Sequence, residues 1–233
     1  MTSSFEWKLG HVILCPSTEE LAQVAAEHIA RSVSTELTHR PRFHLSLAGG
    51  NTPAACYRQL AVIPLEWSRV VLSLGDERCL PWGHPERNES LVRDTLVDPA
   101  GAGAARFESV PAELGAEEGS QQYARILTQL GPPNLALLGL GEDGHTASLF
   151  PGNPALALTE AAVPVHGAPK SPADRISMGL GWLQQAQERI FLVTGASKRA
   201  ILRELSQGAP LPAALVGSAY WYIEESAWPG RVG

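Results

Sequence analysis

The chain has 233 residues, a formal net charge of −6 and a mean hydropathy of −0.05. A chain of this length can bury a core without help from disulfides or a structural metal. The acidic balance argues against a nucleic acid or an anionic membrane as partner, because no broad positive face would offset the phosphate repulsion. Any phosphate group that the protein binds must therefore be held by a local cluster of positive side chains.

The cysteines and the first residues bear on the cellular location. Cys15, Cys56 and Cys79 are odd in number and form no C-x-x-C pair, which favours reduced thiols over disulfides or a zinc site. Residues 1–20 lack an apolar signal core, and no apolar run approaches the ~18 residues of a membrane span. These features predict a cytoplasmic protein without a membrane segment. Nothing in the sequence predicts an oligomeric state.

Short apolar runs alternate with helical patterns along the chain. A capping box at residues 17–20 opens the first helix, and Thr52 followed by Pro53 favours a helix N-cap with proline at the first helical position. The alternation predicts one α/β domain over residues 1–233, with a mainly parallel sheet and helices on both faces. The predicted strands cover residues 11–15, 43–47, 70–74, 135–140 and 190–193, and further helices cover residues 88–96, 117–130 and 197–205.

Polar or glycine-rich segments directly follow four of these strands, where an open α/β sheet binds its ligand. The first segment contains Gly49, Gly50, Asn51 and Thr52 at the start of a helix. Glycines let the backbone approach a ligand closely, and the free N–H groups of a helix start favour an anion. Since ordinary turns look the same, this segment alone is weak evidence for a phosphate site.

The second segment places Asp76, Glu77 and Arg78 after a strand that is apolar except for Ser73. Runs of charged residues usually lie in solvated loops. A strand with so few polar residues is expected at the centre of the sheet, however, so its end should open into the crevice.

The third segment interleaves three glycines with Glu142, Asp143 and His145. Asp143 and His145 are separated by one glycine, so a single tight loop can aim both side chains at one pocket. A histidine that is oriented by a carboxylate can accept a proton near neutral pH. The other six histidines are expected to be satisfied residues without a catalytic role.

The fourth group supplies positive charge. Arg175 and Lys198 would each be ordinary surface charges if taken singly, but Lys198 lies in a further strand–glycine–helix junction. Together they provide the local positive site that an acidic protein needs for a phosphate.

Other chemistries have weaker support. The carboxylates of residues 76, 77 and 143 could bind a cation with His145, but no H-x-x-x-H or comparable spacing accompanies them. A nucleophilic serine would be Ser46 or Ser148, and neither lies in a G-x-S-x-G elbow. The first segment matches neither a triphosphate-binding nor a dinucleotide-binding loop. We therefore favour a site without a metal.

Residues 46–53, 75–78, 139–151, 172–177 and 193–198 closely resemble the 6-phosphogluconolactonase family, and the resemblance covers nearly the whole chain. It implies a Rossmann-like α/β fold that is shared with glucosamine-6-phosphate deaminases. It further implies hydrolysis of 6-phospho-D-glucono-1,5-lactone to 6-phosphogluconate in the oxidative pentose phosphate pathway, without a cofactor.

The resemblance also implies roles for individual residues. His145 would be the general base, with Asp143 close by in the same loop and Arg78 near the reacting lactone. The substrate and its phosphate would be surrounded by Gly49, Gly50, Asn51, Thr52, Asp76, Arg175 and Lys198. Many members of the family have serine where this chain has Asn51.

The deaminase members are the nearest alternative. Their pattern has a glutamate for ring opening five residues beyond the histidine, where this chain has Phe150. An apolar ring cannot relay a proton, so the sequence favours the lactonase. A sugar-phosphate-binding protein without activity is the third alternative, and it would have no use for Asp143 and His145.

Overall fold

The computed structural model describes residues 2–99 and 105–230. Its strands are β1 (Ser3–Trp7), β2 (Gly10–Cys15), β3 (Phe43–Leu47), β4 (Val70–Leu74), β5 (Asp76–Arg78), β6 (Arg106–Phe107), β7 (Leu135–Gly139), β8 (Ala162–Val165), β9 (Arg175–Met178), β10 (Glu188–Val193) and β11 (Ala219–Glu224). Its helices are α1 (Thr18–Leu37), α2 (Asn51–Leu60), α3 (Asn88–Val92), α4 (Ala116–Leu130), α5 (Leu180–Gln184), α6 (Arg199–Gln207) and α7 (Pro212–Leu215).

The main sheet has eight strands in the order β1-β2-β11-β10-β7-β3-β4-β6. Only β1 is antiparallel to its neighbour, so the prediction of a mainly parallel sheet is confirmed. The five predicted strands correspond to β2, β3, β4, β7 and β10. Every residue of β3 and β4 is buried, as expected for parallel strands that are covered on both faces.

Helices cover both faces of this sheet. α1 and α2 pack against each other; α1 contacts β2, β3 and β11, and α2 contacts β7 and β10. On the face that carries His44 and Ser73, α4 contributes Tyr123. Its hydroxyl donates to the Leu74 carbonyl at 2.7 Å and accepts from the Leu74 N–H at 3.0 Å. α4 is thereby fixed to the carboxyl end of β4.

The predicted helices are present with shifted ends. Ser17 caps α1 by accepting from the Glu20 N–H at 3.2 Å, as the capping box predicts. The helix predicted at residues 88–96 has two parts: α3 is followed directly by a π-helical segment over Arg93–Val97. The helix predicted at residues 197–205 begins as a 3₁₀ turn over Ala196–Lys198 and continues as α6.

The prediction that Thr52 caps α2 is wrong. The cap residue is Gly50, whose φ of 104° turns the chain so that the helix begins at Asn51. The first bond within the helix runs from the Ala54 N–H to the Gly50 carbonyl, so Pro53 stands where no N–H is required. The Thr52 hydroxyl is bonded to that of Thr194 at 2.7 Å instead.

A second sheet, which the sequence analysis does not predict, has three antiparallel strands in the order β5-β9-β8. Backbone hydrogen bonds of Gly75 connect this small sheet to the carboxyl edge of the main sheet. The Gly75 N–H donates to the Leu47 carbonyl at 2.8 Å, and the Gly75 carbonyl accepts from the Met178 N–H at 2.7 Å. The register of this small sheet pairs Arg78 with Arg175.

The sequence has two short stretches of small residues and prolines, 100–105 and 167–173, whose length predicts surface loops within the domain. Residues 167–173 form a loop before β9, and residues 100–104 lie outside the described residues. Across the ranges that the structure describes, no helix has the length and apolarity needed to cross a bilayer.

Candidate active site

A cavity of about 550 Å³ lies at the carboxyl ends of β10, β7, β3 and β4, which are consecutive neighbours in the main sheet. This is the position expected for a ligand site in an open α/β sheet. Eight of the ten predicted site residues line the cavity: Gly49, Gly50, Asp76, Arg78, Asp143, His145, Arg175 and Lys198.

The other two predicted residues do not line the cavity with their side chains. Asn51 is exposed at the start of α2, and Thr52 is half-buried against Thr194. The backbone that precedes them contributes Gly49 and Gly50 to the cavity wall. A contact of Asn51 or Thr52 with a phosphate therefore stays a prediction.

Asp143 and His145 form a hydrogen-bonded pair in the cavity wall. Asp143 Oδ1 lies 2.5 Å from His145 Nδ1 and also accepts from the His145 backbone N–H at 3.1 Å. With Nδ1 donating to the carboxylate, Nε2 is the ring nitrogen that can accept a proton. The imidazole is tilted by 48° against the ring of Phe150, with 4.5 Å between the ring centroids.

The environment keeps Asp143 ionised. Partial burial raises the pKa of its carboxyl. The hydrogen bonds from the backbone and ring of His145, together with the charge of that ring, lower this pKa by more than burial raises it. The net result is a pKa below the ordinary value of an aspartic acid. A carboxylate is thus available to stabilise His145 when the ring takes up a proton.

Two glycines of this loop are required by its geometry. A Cβ at residue 141 would overlap the ring of His145 and the carboxylate of Asp143. Gly144 has a φ of 83°, and a side chain there would also meet Leu211. Gly139 has open space around it and needs no such explanation. Glycine is therefore needed at 141 so that the acid–histidine pair can lie against the chain.

Arg78 and Arg175 are brought together as partners in the small sheet. Arg78 donates through Nη1 to the Glu86 carbonyl, while its buried Nε has no hydrogen-bond partner among the described residues. The guanidinium of Arg175 lies over the ring of Phe150, 5.9 Å from its centroid. Burial and the nearby charge of Arg78 lower the pKa of Arg175, against the opposite effect of Asp76 and Glu77.

Asp76 is held firmly beside these arginines. Its Oδ2 accepts from the Ser148 hydroxyl at 2.5 Å, and its Oδ1 accepts from Asn88 Nδ2 at 3.2 Å. Ser148 is completely buried, and the Ser46 hydroxyl points to the sulfur of Met178 at 3.6 Å. Neither serine is presented to the cavity as a nucleophile.

Glu77 faces away from the cavity and organises the backbone behind it. Its buried carboxylate accepts the N–H groups of Arg78, Asn88 and Glu89 at 2.7–2.9 Å and lies 3.5 Å from Arg87 Nε. Burial raises the pKa of Glu77, and these contacts only partly offset it. Within the described residues, no three His, Cys, Asp or Glu side chains are grouped as a metal site.

Several cavity residues were not among the predicted site residues: Asn88, Glu142, Ala147, Phe150, Lys170 and Ser171. Ala147 has a φ of 49°, the one positive φ outside glycine among the described residues. Asn88 had no sequence signal beyond its position in a predicted helix. Lys170 had no sequence signal either, because it lies in the loop after β8, and β8 was not among the predicted strands.

Comparisons with known proteins show the family of the chain. Residues 16–224 match the family model described as "Glucosamine-6-phosphate isomerases/6-phosphogluconolactonase". The 6-phosphogluconolactonases of Rattus norvegicus and Homo sapiens are each 33% identical to the chain, and each alignment covers 94% of it and 92% of the relative. The crystal structure of 6-phosphogluconolactonase from Thermotoga maritima superposes with a TM-score of 0.85 at 25% identity, covering 92% of this chain and 99% of that one.

Proposed function

Because the chain belongs to the family of glucosamine-6-phosphate isomerases and 6-phosphogluconolactonases, we propose that it hydrolyses 6-phospho-D-glucono-1,5-lactone to 6-phosphogluconate in the oxidative pentose phosphate pathway. The observation that carries the proposal is the Asp143–His145 pair, which lines a cavity together with two arginines and two lysines. Such a cavity matches an anionic substrate whose reacting carbon needs an activated water.

His145 supplies the general base in this proposal. Its Nε2 takes a proton from water as the water oxygen forms a bond to C1 of the lactone. Asp143 holds the ring in the required tautomer and stabilises the protonated form. The protonated ring then gives its proton to the ring oxygen of the lactone as the C1–O bond breaks. General-base catalysis of this kind contributes about 10²–10⁴-fold to the rate.

Positive groups on the other side of the cavity stabilise the charge that develops on the carbonyl oxygen. Arg78 is one candidate, because it lines the cavity beside Arg175, and backbone N–H groups of the cavity wall are the other. Loss of one such donor typically costs about 3 kcal/mol of transition-state stabilisation. The phosphate lies against Lys198, Arg175 and the backbone at Gly49 and Gly50, which fixes C1 beside His145.

An aminosugar-phosphate deaminase is the second candidate, since the family includes isomerases. The position that the deaminase pattern reserves for a glutamate is occupied by Phe150, which packs against the ring of His145. An apolar ring in that position cannot relay the proton that ring opening requires. Release of ammonia from glucosamine 6-phosphate would support the deaminase and contradict our proposal.

The test is the disappearance of freshly generated 6-phosphogluconolactone at near-neutral pH, with and without the protein. The rate in buffer must be subtracted, because the lactone also hydrolyses unaided. We expect His145→Ala to lower kcat by about 10²–10⁴-fold while binding of 6-phosphogluconate is largely retained. Wild-type kcat in this variant would show that His145 is not the base.

The cytoplasm is the location that we propose. Cys15, Cys56 and Cys79 are all free thiols. Burial raises the pKa of Cys56 to about 12, so that thiol is held in its unreactive protonated form. Free thiols of this kind are typical of a reducing compartment.

A further inference from the structure

Lys170 is a cavity residue to which neither the sequence analysis nor the comparisons assign a role. The chain contains three lysines, Lys8, Lys170 and Lys198. Two of the three line the same cavity, although the protein carries a net charge of −6. Lys198 is half-buried, whereas the side chain of Lys170 is exposed at the edge of the cavity.

The loop that carries Lys170 is fixed by hydrogen bonds. The Ala168 N–H donates to the Ala173 carbonyl at 3.0 Å and closes the loop. Arg175 donates through Nε to the Pro172 carbonyl at 3.2 Å and through Nη2 to the Lys170 carbonyl at 3.0 Å. Two donor groups of the buried Arg175 side chain therefore bind this loop, and these bonds fix the backbone position of Lys170.

The two ammonium groups at the cavity repel each other. Burial lowers the pKa of Lys198, and the charge of Lys170 lowers it further, against the opposite effect of Glu142 and Asp143. Lys170 forms no ion pair with a carboxylate in the part of the chain that the structure describes. A doubly charged anion between the two lysines would turn this repulsion into attraction on both sides.

We propose that Lys170 binds the substrate phosphate together with Lys198, and that Arg175 also acts as the positioning residue that holds Lys170 in place. The inference rests on the proposed function, because it assumes a phosphorylated substrate in this cavity. It assigns recognition of the phosphate to a residue of the loop before β9, beyond the residues that the family resemblance implies.

Lysine labelling tests the contact without depending on turnover. The wild-type protein is acetylated with an amine-selective reagent, and the rate at each of the three lysines is followed by mass spectrometry. We expect saturating 6-phosphogluconate to slow labelling of Lys170 and Lys198 by about tenfold or more, since a bound phosphate occupies both ammonium groups. Gluconate at the same concentration should protect neither, and the exposed Lys8 is the internal control.

The labelling outcomes separate the two proposals. Protection of Lys198 with unchanged labelling of Lys170 would overturn the inference and leave the proposed function standing. Labelling of both lysines at the unprotected rate would overturn it as well. Absence of lactone hydrolysis by the wild-type protein would instead contradict the proposed function, whatever the labelling shows.

Kinetics of Lys170→Met provide a second test. We expect KM for the phospholactone to rise about tenfold and kcat to stay within about twofold, because a phosphate ligand far from C1 contributes to binding more than to chemistry. The kcat/KM for glucono-1,5-lactone, which lacks the phosphate, should not change. Lys170→Arg should restore most of the affinity, and Lys8→Met should behave as wild type. An unchanged KM in Lys170→Met would overturn the inference.

Arg175→Gln tests the positioning role. Because Arg175 is also a proposed phosphate ligand, the 6-phosphogluconate concentration is raised until Lys198 is again fully protected. Loss of the bonds to the loop carbonyls should leave Lys170 unprotected under that condition. Full protection of Lys170 in a variant that retains the wild-type circular dichroism spectrum would show that Arg175 does not position it. Lys170→Met keeps the first half of the proposal testable if Arg175→Gln does not fold.

Discussion

The Asp143–His145 pair determines which nitrogen of one imidazole is free for chemistry. Asp143 accepts from both the ring and the backbone of His145, so the loop can present Nε2 only while the carboxylate is intact. We expect Asp143→Asn to lower kcat by about 10²-fold, because a neutral amide neither fixes the tautomer nor stabilises the protonated ring. The measurement is kcat for the phospholactone, corrected for the background rate. A variant with unchanged kcat would leave Asp143 without a part in the reaction.

A second histidine, His44, is predicted to affect stability rather than activity. Burial lowers the pKa of His44 to about 4, although hydrogen bonds to the backbone at residues 131 and 132 act in the opposite direction. Its Nδ1 donates to the Gly131 carbonyl at 3.1 Å and its Nε2 accepts from the Ser73 hydroxyl at 2.8 Å. The neutral ring therefore satisfies both of its nitrogens.

The folded protein takes up this proton less readily than the unfolded chain. The stability that the neutral ring contributes is fully present above about pH 6.5 and is lost as the pH falls from there toward 4. A shift of this size corresponds to at most about 3 kcal/mol. Urea unfolding at pH 7 and pH 4.5 should show a smaller loss of stability in His44→Gln than in the wild type. Exposed His39→Gln is the control, and equal losses in all three proteins would contradict the prediction.

At the level of residues, local composition predicted that one loop aims Asp143 and His145 at a common pocket, and it missed the groups that reach this pocket from elsewhere. Three glycines around Asp143 and His145 indicated a constrained loop, and the contacts of a Cβ at residue 141 give the reason for one of them. Asn88 and Lys170 reach the cavity only through tertiary structure. Without a local pattern around them, their spacing in the sequence could not reveal it.

Among the elements, α4 shows how closely a helix approaches the small sheet. Gly119 is the fourth residue of α4, and a Cβ there would come within 2.5 Å of the Pro111 carbonyl oxygen and of Ile176 in β9. Alanine is favoured over glycine in a helix by about 1 kcal/mol. We nevertheless expect Gly119→Ala to destabilise the protein by about 1–3 kcal/mol, since the close contact outweighs the helix preference.

Gly181→Ala in α5 is the matched control for this substitution. A Cβ at residue 181 meets nothing within 4 Å, so only the helix preference should act and stability should stay equal or rise. The comparison uses the free energy of unfolding in urea. If Gly119→Ala proved as stable as Gly181→Ala, the close approach of α4 to β9 would be refuted.

Strands with a clear hydrophobic pattern in their own sequence were predicted well. Strands whose conformation depends on pairing with another strand were not predicted. β3 and β4 are short, mostly apolar segments, and their predicted and observed bounds coincide. β5 and β9 are short and carry Asp76, Arg78 and Arg175, so they offer no apolar alternation. Each of these two strands is held in its conformation by pairing with the other. A pattern within one segment of the sequence cannot reveal a partner that lies far away in the chain.

On the scale of the whole molecule, the net charge and the cavity act on the substrate in opposite directions. The protein is negative overall, but the cavity is lined by four cations and three carboxylates, an excess of one positive charge: Arg78, Lys170, Arg175 and Lys198 against Asp76, Glu142 and Asp143. At physiological salt, charges beyond about 8 Å are largely screened, so the positive excess of the cavity lining outweighs the carboxylates elsewhere on the protein. We expect KM for the phospholactone to rise about threefold or more between 0.15 and 0.5 M salt.

The control for the salt effect is glucono-1,5-lactone, whose KM should hardly change because it carries no charge. Initial rates with each lactone, corrected for the uncatalysed reaction at the same salt concentration, give both values. A KM for the phospholactone that falls with salt would mean that repulsion by the whole protein outweighs attraction by the cavity.

The fold as a whole was accessible from the alternation of strands and helices, and the comparisons confirm the predicted family. The carboxyl ends of parallel strands lie at the same edge of a sheet. The residues that follow four of the predicted strands were therefore expected to lie close together, although they are far apart in the sequence. The order of those strands and the existence of the second sheet could not be predicted from the alternation of strands and helices, because both depend on which surfaces pack best in three dimensions.

The pairing of Arg78 with Arg175 has a consequence for how the family can vary in length. Side chains alternate between the two faces of a strand, so an inserted residue in β5 or β9 would move one guanidinium to the opposite face and leave the other in place. Insertions and deletions among natural relatives should therefore be found in the connections around the small sheet and be absent from its paired strands. The same constraint would guide the transplantation of this cavity into another protein, where both strands must be transferred together.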